Sequence, residues 1–227
     1  MKQIRSLREK KFRDELGLFV VEGEKLVQEA LDSDFTVRSV WRRDEIGEAA
    51  MARISQLSSP PPVLAVVERP RRAVPEALAR ALCLALDGIR DPGNMGTILR
   101  IADWFGIETV FLSPDCVEPF NPKAIQASMG SVFRVAVVET DLPALARRFR
   151  EAGMPVYGTF LDGRDLYREP LRAEGLVVMG SESFGIRPDV AAEVDARLWI
   201  PSFGRSGAES LNVAAATAIT LSEFRRR

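Results

Sequence analysis

The spacing of apolar positions divides the chain into two stretches of different character. In the first, apolar residues recur at helical spacing over 4–12, 22–31 and 46–57. Short β-branched runs at 37–41 and 63–67 read as strands. Ser58, Ser59, Pro60, Pro61 and Pro62 punctuate the approach to the second of these. Beyond it, Arg69, Pro70, Arg71 and Arg72 are polar and proline-broken, which is the chemistry of a linker. From Leu82 onward the alternation is regular. Strand-length apolar runs stand at 82–86, 109–112, 135–138, 155–159, 176–180 and 197–200. Helical stretches at 95–105, 122–128, 142–151, 188–194 and 213–226 fall between or after them. Strand and helix alternating at this pitch predict a mostly parallel sheet covered by helices on both faces. The expected organisation is therefore a small α/β unit over 1–72, a linker over 73–80 and an α/β domain over 81–227.

Composition narrows the chemistry more than it narrows the fold. The chain has 227 residues, 46% of them apolar and 28% charged, as expected of a globular protein. Its longest uninterrupted apolar run is the six residues from Ala81 to Leu86, too short to span a bilayer. The start of the chain is charged and lacks the apolar core of a secretory signal. Two cysteines, Cys83 and Cys116, are too few for a disulfide framework. A cytoplasmic protein with no membrane contact is expected. There are no histidines, which excludes Ser-His-Asp and Cys-His catalysis and HExxH zinc sites together. Any chemistry falls to carboxylates, Lys and Arg, amides, hydroxyls or a cofactor. Net charge is −1, yet Lys2, Arg5, Arg8, Lys10, Lys11 and Arg13 face only Glu9 in the first thirteen residues. Such a basic helix suits either a phosphate backbone or a solvated face.

In open parallel sheets, ligands bind beyond the carboxyl ends of the strands. Three strand-end segments here mix glycine with amides, hydroxyls and carboxylates. The first runs from Asp87 through Asn94 and Gly96 to Arg100. Asn94 suits a helix N-cap. Arg100 falls on the side of its helix away from Ile98, and Gly96 suggests that another backbone approaches closely. The second is Gly180, Ser181, Glu182, Ser183, Phe184 and Gly185; the third runs from Pro201 to Ser210, Leu211 and Asn212. Neither glycine pair matches the GxGxxG dinucleotide fingerprint, so a nicotinamide oxidoreductase is weakly supported. Glu182 could equally be a helix cap or an ion-pair partner, and Ser210 and Asn212 ordinary N-caps.

In this order, Asn94-x-Gly96-x-x-x-Arg100, Gly180-x-Glu182-x-x-Gly185, and Ile200-Pro201 followed by Ser210-Leu211-Asn212-Val213 resemble the three motifs of the SpoU (TrmH-like) RNA ribose methyltransferases of the SPOUT superfamily. Asn121-Pro122-Lys123 with Ala127-Ser128-Met129-Gly130-Ser131 is similar to the segment that family carries between its first two motifs. Lys11-Phe12-Arg13 with Phe19-Val20-Val21-Glu22-Gly23 resembles the start of its N-terminal RNA-binding domain. Gln126 stands where many members have arginine and Ser202 where they generally have methionine, and the loop from Ile200 to Leu211 is somewhat longer than usual.

The resemblance implies a C-terminal trefoil knot in the large domain and a small RNA-binding domain ahead of it. It implies S-adenosylmethionine as cofactor, structured rRNA or tRNA as substrate, and a homodimer, with no metal. Methyl transfer would go to a ribose 2′-OH. Arg100, Asn94, Glu182, Ser210 and Asn212 would be catalytic. Thr159, Leu161, Gly180, Ile200 and Leu211 would hold the cofactor, and Lys10, Lys11, Arg13 and Lys123 would contact RNA. Two related readings are a base methyltransferase of the same superfamily and a non-catalytic RNA-binding relative. The Asn94 and Arg100 pair argues against the first, and the intact Arg100, Glu182 and Asn212 against the second.

Overall fold

The computed structural model describes residues 1–204 and 209–226. The first unit is built on an antiparallel sheet of β1 (Leu18–Glu22), β2 (Val37–Arg42) and β3 (Val63–Glu68), with β3 in the middle. Strand β1 falls outside the expected pattern, which runs a helix from residue 22. Leu18, Phe19, Val20 and Val21 lie between Gly17 and Gly23, whose φ of 64° and 97° are left-handed and close the strand at both ends. Helix α3 (Glu24–Leu31) therefore starts two residues late, with Gly23 at its N-cap. The first expected helix divides into α1 (Lys2–Ser6) and α2 (Lys10–Leu16). The expected helix over 46–57 is interrupted by Gly47 at φ 84°, giving α4 (Arg43–Ile46) and α5 (Glu48–Ile54).

The large domain follows the predicted alternation. It comprises β4 (Leu82–Asp87), α6 (Pro92–Trp104), β5 (Thr109–Leu112), α7 (Pro122–Ser128), β6 (Ala136–Glu139) and α8 (Leu142–Glu151). After these come β7 (Val156–Asp165), β8 (Gly175–Gly180), α9 (Pro188–Ala191), β9 (Ala196–Trp199) and α10 (Val213–Arg226). Every pairing in the sheet is parallel, in the order β6-β5-β4-β8-β7-β9. Strands β4, β5 and β6 step outward in one direction, and the later strands fill the other side. The direction reverses between β4 and β8, where Asp87 lies opposite Gly180 at the carboxyl ends. Such a reversal opens a crevice for a ligand. Strand β7 outlasts its predicted end at 159: Thr159 and Arg164 both face Leu198, and residues 160–163 make an excursion between them.

The two units share one apolar core. Phe19, Val21, Val63, Ala65 and Val67 point to one face of the small sheet and pack with Leu84, Leu86, Ile98 and Phe133 of the large domain. Val20, Leu64 and Val66 point to the other face and pack on Ile4, Leu7, Met51 and Ile54. Each fully buried Phe or Leu contributes about 1.5–3 kcal/mol of transfer free energy, so this seam is not a loose contact. Phe19 and Phe120 stand 4.7 Å apart between ring centroids, and Phe35 meets Phe133 edge-on at 5.1 Å. The residues between the units, 69–81, carry no helix or strand but are pinned along their length. Arg69 pairs with Asp14 and lies 3.6 Å from Glu118, Arg72 covers the Phe35 ring, and Arg148 donates to the carbonyls of Pro75 and Glu76.

Arg13, expected on an RNA-facing surface, is instead part of this seam. Its side chain is 2% exposed; Nε donates to Glu118 Oε1 at 2.9 Å and Nη1 to the Leu7 and Arg8 carbonyls at 2.6 and 2.7 Å. Four of the five N–H groups of this guanidinium go to a carboxylate and two carbonyls, and its burial keeps it from a phosphate in solvent. Gln126 also serves the seam, donating to the Glu22 carbonyl at 3.2 Å.

Candidate active site

Helix α6 begins with Pro92 at its first position and Asp91 as N-cap, whose carboxylate accepts from Asn94 N at 2.8 Å. Asn94, expected to be the cap, therefore sits inside the helix with its side chain free for other partners. Its Nδ2 donates to Glu182 Oε1, and its Oδ1 accepts from Asn212 Nδ2 at 3.0 Å. Asn212 in turn caps α10, its Oδ1 accepting from Ala214 N at 3.0 Å and Ala215 N at 3.3 Å. One amide thus ties its own segment to two others, 88 and 118 residues away in the chain.

Glycines allow the close approaches behind this arrangement. A Cβ on Gly96 would run into the Ala124 carbonyl oxygen and come within 2.6 Å of Ala127 Cβ, so α6 can lie flush on α7 only with glycine there. A Cβ on Gly180 would strike the backbone of Gly185, across a turn closed by Ser181 N to Gly185 O at 3.1 Å and Gly185 N to Ser181 O at 2.9 Å. That turn carries Glu182. It is stapled to the end of β4 by Asp87, whose Oδ2 accepts from Arg187 N at 2.7 Å while Oδ1 lies 2.8 Å from Arg187 Nε. Burial pushes the Asp87 carboxyl above its usual value, against the lowering effect of the Arg187 contacts. Asp87 and Asp91 belong to the first strand-end segment with no role expected of them, and Arg187 lies just beyond the second. The one sequence signal for them is the placement of charged residues at strand ends and before a proline.

Arg100 lies on the exposed side of α6, six residues and about 9 Å along the axis from Asn94, and makes no side-chain bond to the described residues. Thr97 and Trp104 share that exposed side, Trp104 being 84% exposed. Ser210 is exposed and makes no side-chain bond to the described residues, so Asn212 alone of that pair joins the network. Arg205 to Ala208, in the same segment, lie outside the described residues. The expected cofactor residues sit around the ends of β7, β8 and β9. Thr159 is half-buried with Oγ1 3.4 Å from the Val178 carbonyl, and Ile200 packs on the main core. Leu161 is 71% exposed, and Leu211 and Phe203 are also exposed. Large apolar side chains left in solvent at neighbouring strand ends are what an adenine ring would cover. This lining, apolar but for the Thr159 hydroxyl, fits a nucleoside with an aliphatic arm. Lys10, Lys11 and Lys123 are exposed, Lys10 in a surface pair with Asp14.

The sequence of the large domain matches the model of the SpoU rRNA Methylase family over residues 81–222. The chain belongs to that family. Residues 1–66 match the MRM3-like substrate binding domain. Among SpoU relatives, a 23S rRNA (guanosine(2553)-2′-O)-methyltransferase of Bacillus subtilis is 32% identical, over 99% of this chain and 95% of that one. The solved structure of a putative RNA methyltransferase of the TrmH family from Porphyromonas gingivalis is 44% identical, with TM-score 0.90 over 99% and 96% of the two chains. An AdoMet-bound rRNA methyltransferase from Sinorhizobium meliloti is 33% identical, with TM-score 0.89 over 99% and 93%. These neighbours share the SpoU fold from end to end, the small unit included.

Proposed function

We propose that this protein is an S-adenosylmethionine-dependent RNA methyltransferase acting on a ribose 2′-OH in rRNA or tRNA. The observation that carries the reading is the chain of hydrogen bonds from Glu182 through Asn94 to Asn212, at the strand ends where the sheet reverses. The cofactor, when bound, supplies a methyl group already activated by a sulfonium. Thr159, Leu161, Gly180, Ile200 and Leu211 would hold it. The protein's remaining tasks are to orient the hydroxyl, receive its proton and balance charge. A guanidinium stays protonated in proteins, so Arg100 is not a free base. It holds a substrate phosphate in a bidentate contact and stabilises the developing alkoxide, and the hydroxyl proton passes to the phosphate oxygen it holds. Asn94 keeps the Glu182 carboxylate and the α10 terminus in fixed register around the ribose. Ser210 closes the site on the side of the third segment.

The remaining parts of the reading concern assembly. The small unit, residues 1–72, grips RNA through Lys10, Lys11 and Lys123 of the adjoining α7, and the segment over 73–80 joins it to the methyltransferase domain. The chain end threads the large domain as a trefoil knot. The enzyme works as a cytoplasmic homodimer, with Trp104 and the alanine-rich face of α10 covered by a second copy. No helix among the described residues is long and apolar enough to cross a membrane.

The test is transfer of labelled methyl from S-adenosylmethionine into RNA from cells lacking the gene, followed by alkaline hydrolysis. Label in alkali-resistant dinucleotides is the expected result. Label in ordinary mononucleotides would make it a base methyltransferase and remove the role given to Arg100.

A further inference from the structure

The turn that carries Glu182 carries a second exposed group. Phe184 is 78% exposed on a hydrogen-bonded turn. Its backbone is fixed: Phe184 N donates to Ser181 Oγ at 3.2 Å, the Ser181 and Gly185 backbones bond reciprocally, and Gly185 takes a left-handed φ of 68°. The ring is thus held out by a rigid turn rather than left on a loose one. Glu182, two residues earlier on the same turn, reaches Asn94. The ring is therefore carried by the same turn as the Glu182 carboxylate that bonds Asn94.

One described side chain is placed against that ring. The guanidinium of Arg90 lies 5.9 Å from the Phe184 centroid, within cation–π range. Arg90 makes no hydrogen bond or ion pair with the described residues. It also lines a cleft of about 230 Å³ between the two units, with Lys10, Asp115, Glu118 and Asn121. The two carboxylates of that cleft have partners: Glu118 pairs with Arg13 and Arg69, and Asp115 accepts from the Ser113 hydroxyl, which together with the charges of Arg187 and Arg90 holds its carboxyl below the usual range. Of its cations, Arg13 is locked in the seam, while Arg90 and Lys10 are less committed. Lys10 has only an exposed surface pair, of the kind that a phosphate readily displaces.

An exposed aromatic with an arginine over it, opening onto a groove that carries cations, is the arrangement by which proteins hold unpaired nucleic acid. We propose that Phe184 and Arg90 form a stacking platform for an unpaired RNA base next to the methylated ribose. From there the strand runs through the Arg90 and Lys10 cleft toward the small unit. This rests on the reading of the site as an RNA ribose methyltransferase. It adds a substrate subsite on that enzyme and accounts for two side chains that the transfer itself does not use. Recognition by stacking tolerates any base, so the platform supplies affinity and keeps the target base out of its helix without choosing the sequence.

The experiment compares Phe184→Ala, Phe184→Trp and Arg90→Ala with the wild type. Methyl incorporation into rRNA from cells lacking the gene gives KM and kcat, and calorimetry gives S-adenosylmethionine affinity. Salt titration with a short, unstructured fluorescent oligoribonucleotide gives direct RNA binding. Phe184→Ala should raise KM for rRNA about tenfold, the loss of one base–aromatic stack, with the effect on KM exceeding that on kcat. Phe184→Trp should restore it. Arg90→Ala should weaken oligonucleotide binding and flatten its dependence on log salt by roughly 0.7, one single-strand phosphate contact. Cofactor affinity should stay at the wild-type value in all three. An unchanged KM in Phe184→Ala, with ribose label in the wild-type reaction, overturns the platform and leaves the methyltransferase standing. A parallel loss of S-adenosylmethionine affinity overturns it too, by assigning the ring to the cofactor. No ribose label from the wild type removes both.

Discussion

Arg13 and Arg100 are the same residue type put to opposite uses. At the seam between the units, Arg13 is buried with its donors committed to Glu118 and two carbonyls. On α6, Arg100 stands in solvent beside a network of amides and a carboxylate that leaves it unbonded. The contrast separates rigidity from reactivity. The seam is complete without any ligand, so it fixes where the small unit sits relative to the strand ends. At the site, the Arg100 guanidinium has no partner among the described residues, which leaves it open to the phosphate contact proposed for it.

Breaking the seam should cost stability, and breaking the site should cost rate. The largest effect is expected from Arg13→Ala, which leaves the buried Glu118 carboxylate with only the more distant Arg69, 3.6 Å away. Removing one partner of a buried pair typically costs about 3–5 kcal/mol. Chemical denaturation should show that loss across the whole chain in one transition, because the core is continuous through both units. A separate early transition for the small unit would show that the seam is weaker than its packing suggests. Arg100→Ala is the opposite case: its melting curve should match the wild type. Its methyl transfer should fall about 10²–10³-fold, the usual cost of losing one preorganised stabiliser of developing charge. S-adenosylmethionine affinity should change little, and a large loss would make Arg100 a cofactor residue.

The two regions were not equally legible in the sequence. The six strands of the large sheet could be read because parallel strands, buried on both faces, leave unbroken apolar runs. Strand β1 is just as apolar but is followed at once by helix α3, and only Gly17 and Gly23 mark its ends. The sequence pattern puts the start of α6 at Asn94, but proline at the first helical position sets the start at Pro92 with Asp91 as cap, and that frees Asn94. Arg13 was beyond reach of sequence. Among neighbours such as Lys10 and Lys11 it looks identical, and its partner lies 105 residues away. The three motifs could be read as residues in order, but not the amide that joins them, since spacing along a chain says nothing about which strand ends become neighbours.

Asn94 sharpens the comparison from the side of the site. Asn94→Ala should leave Glu182 and Asn212 in place but unconnected. A misplacement on the order of 1 Å costs up to about 10²-fold, so a 10- to 100-fold fall in kcat with unchanged cofactor affinity is expected. Asn94→Asp should not rescue it, because a carboxylate cannot donate to Glu182. Gly96→Ala tests the packing under the same helix. The added methyl meets the Ala124 carbonyl and Ala127, and overpacking of this kind costs roughly 1–3 kcal/mol. If Gly96→Ala melts like the wild type, α6 and α7 are free to separate and the helix is not the rigid mount described here.

The smallest effect concerns a buried acid in the small unit. Glu22 accepts from the Ser55 hydroxyl at 2.5 Å and from Gln56 N at 2.8 Å, yet burial outweighs these bonds and raises its carboxyl above the ordinary 4.5. A raised pKa means that the folded chain holds this proton at a pH where the unfolded chain has already released it. Between the two values the native state binds more protons, so stability must fall as pH rises through that window. Glu22→Gln keeps a side-chain carbonyl to accept from Gln56 N and has no proton to lose. The difference in unfolding free energy between variant and wild type should therefore drift in the variant's favour from about pH 4.5 upward, then level off. Urea denaturation of both proteins at matched ionic strength measures it. A drift of the opposite sign would mean that the Ser55 and Gln56 bonds, with the charge of Arg8, outweigh burial and that the small unit holds Glu22 as a stabilising anion.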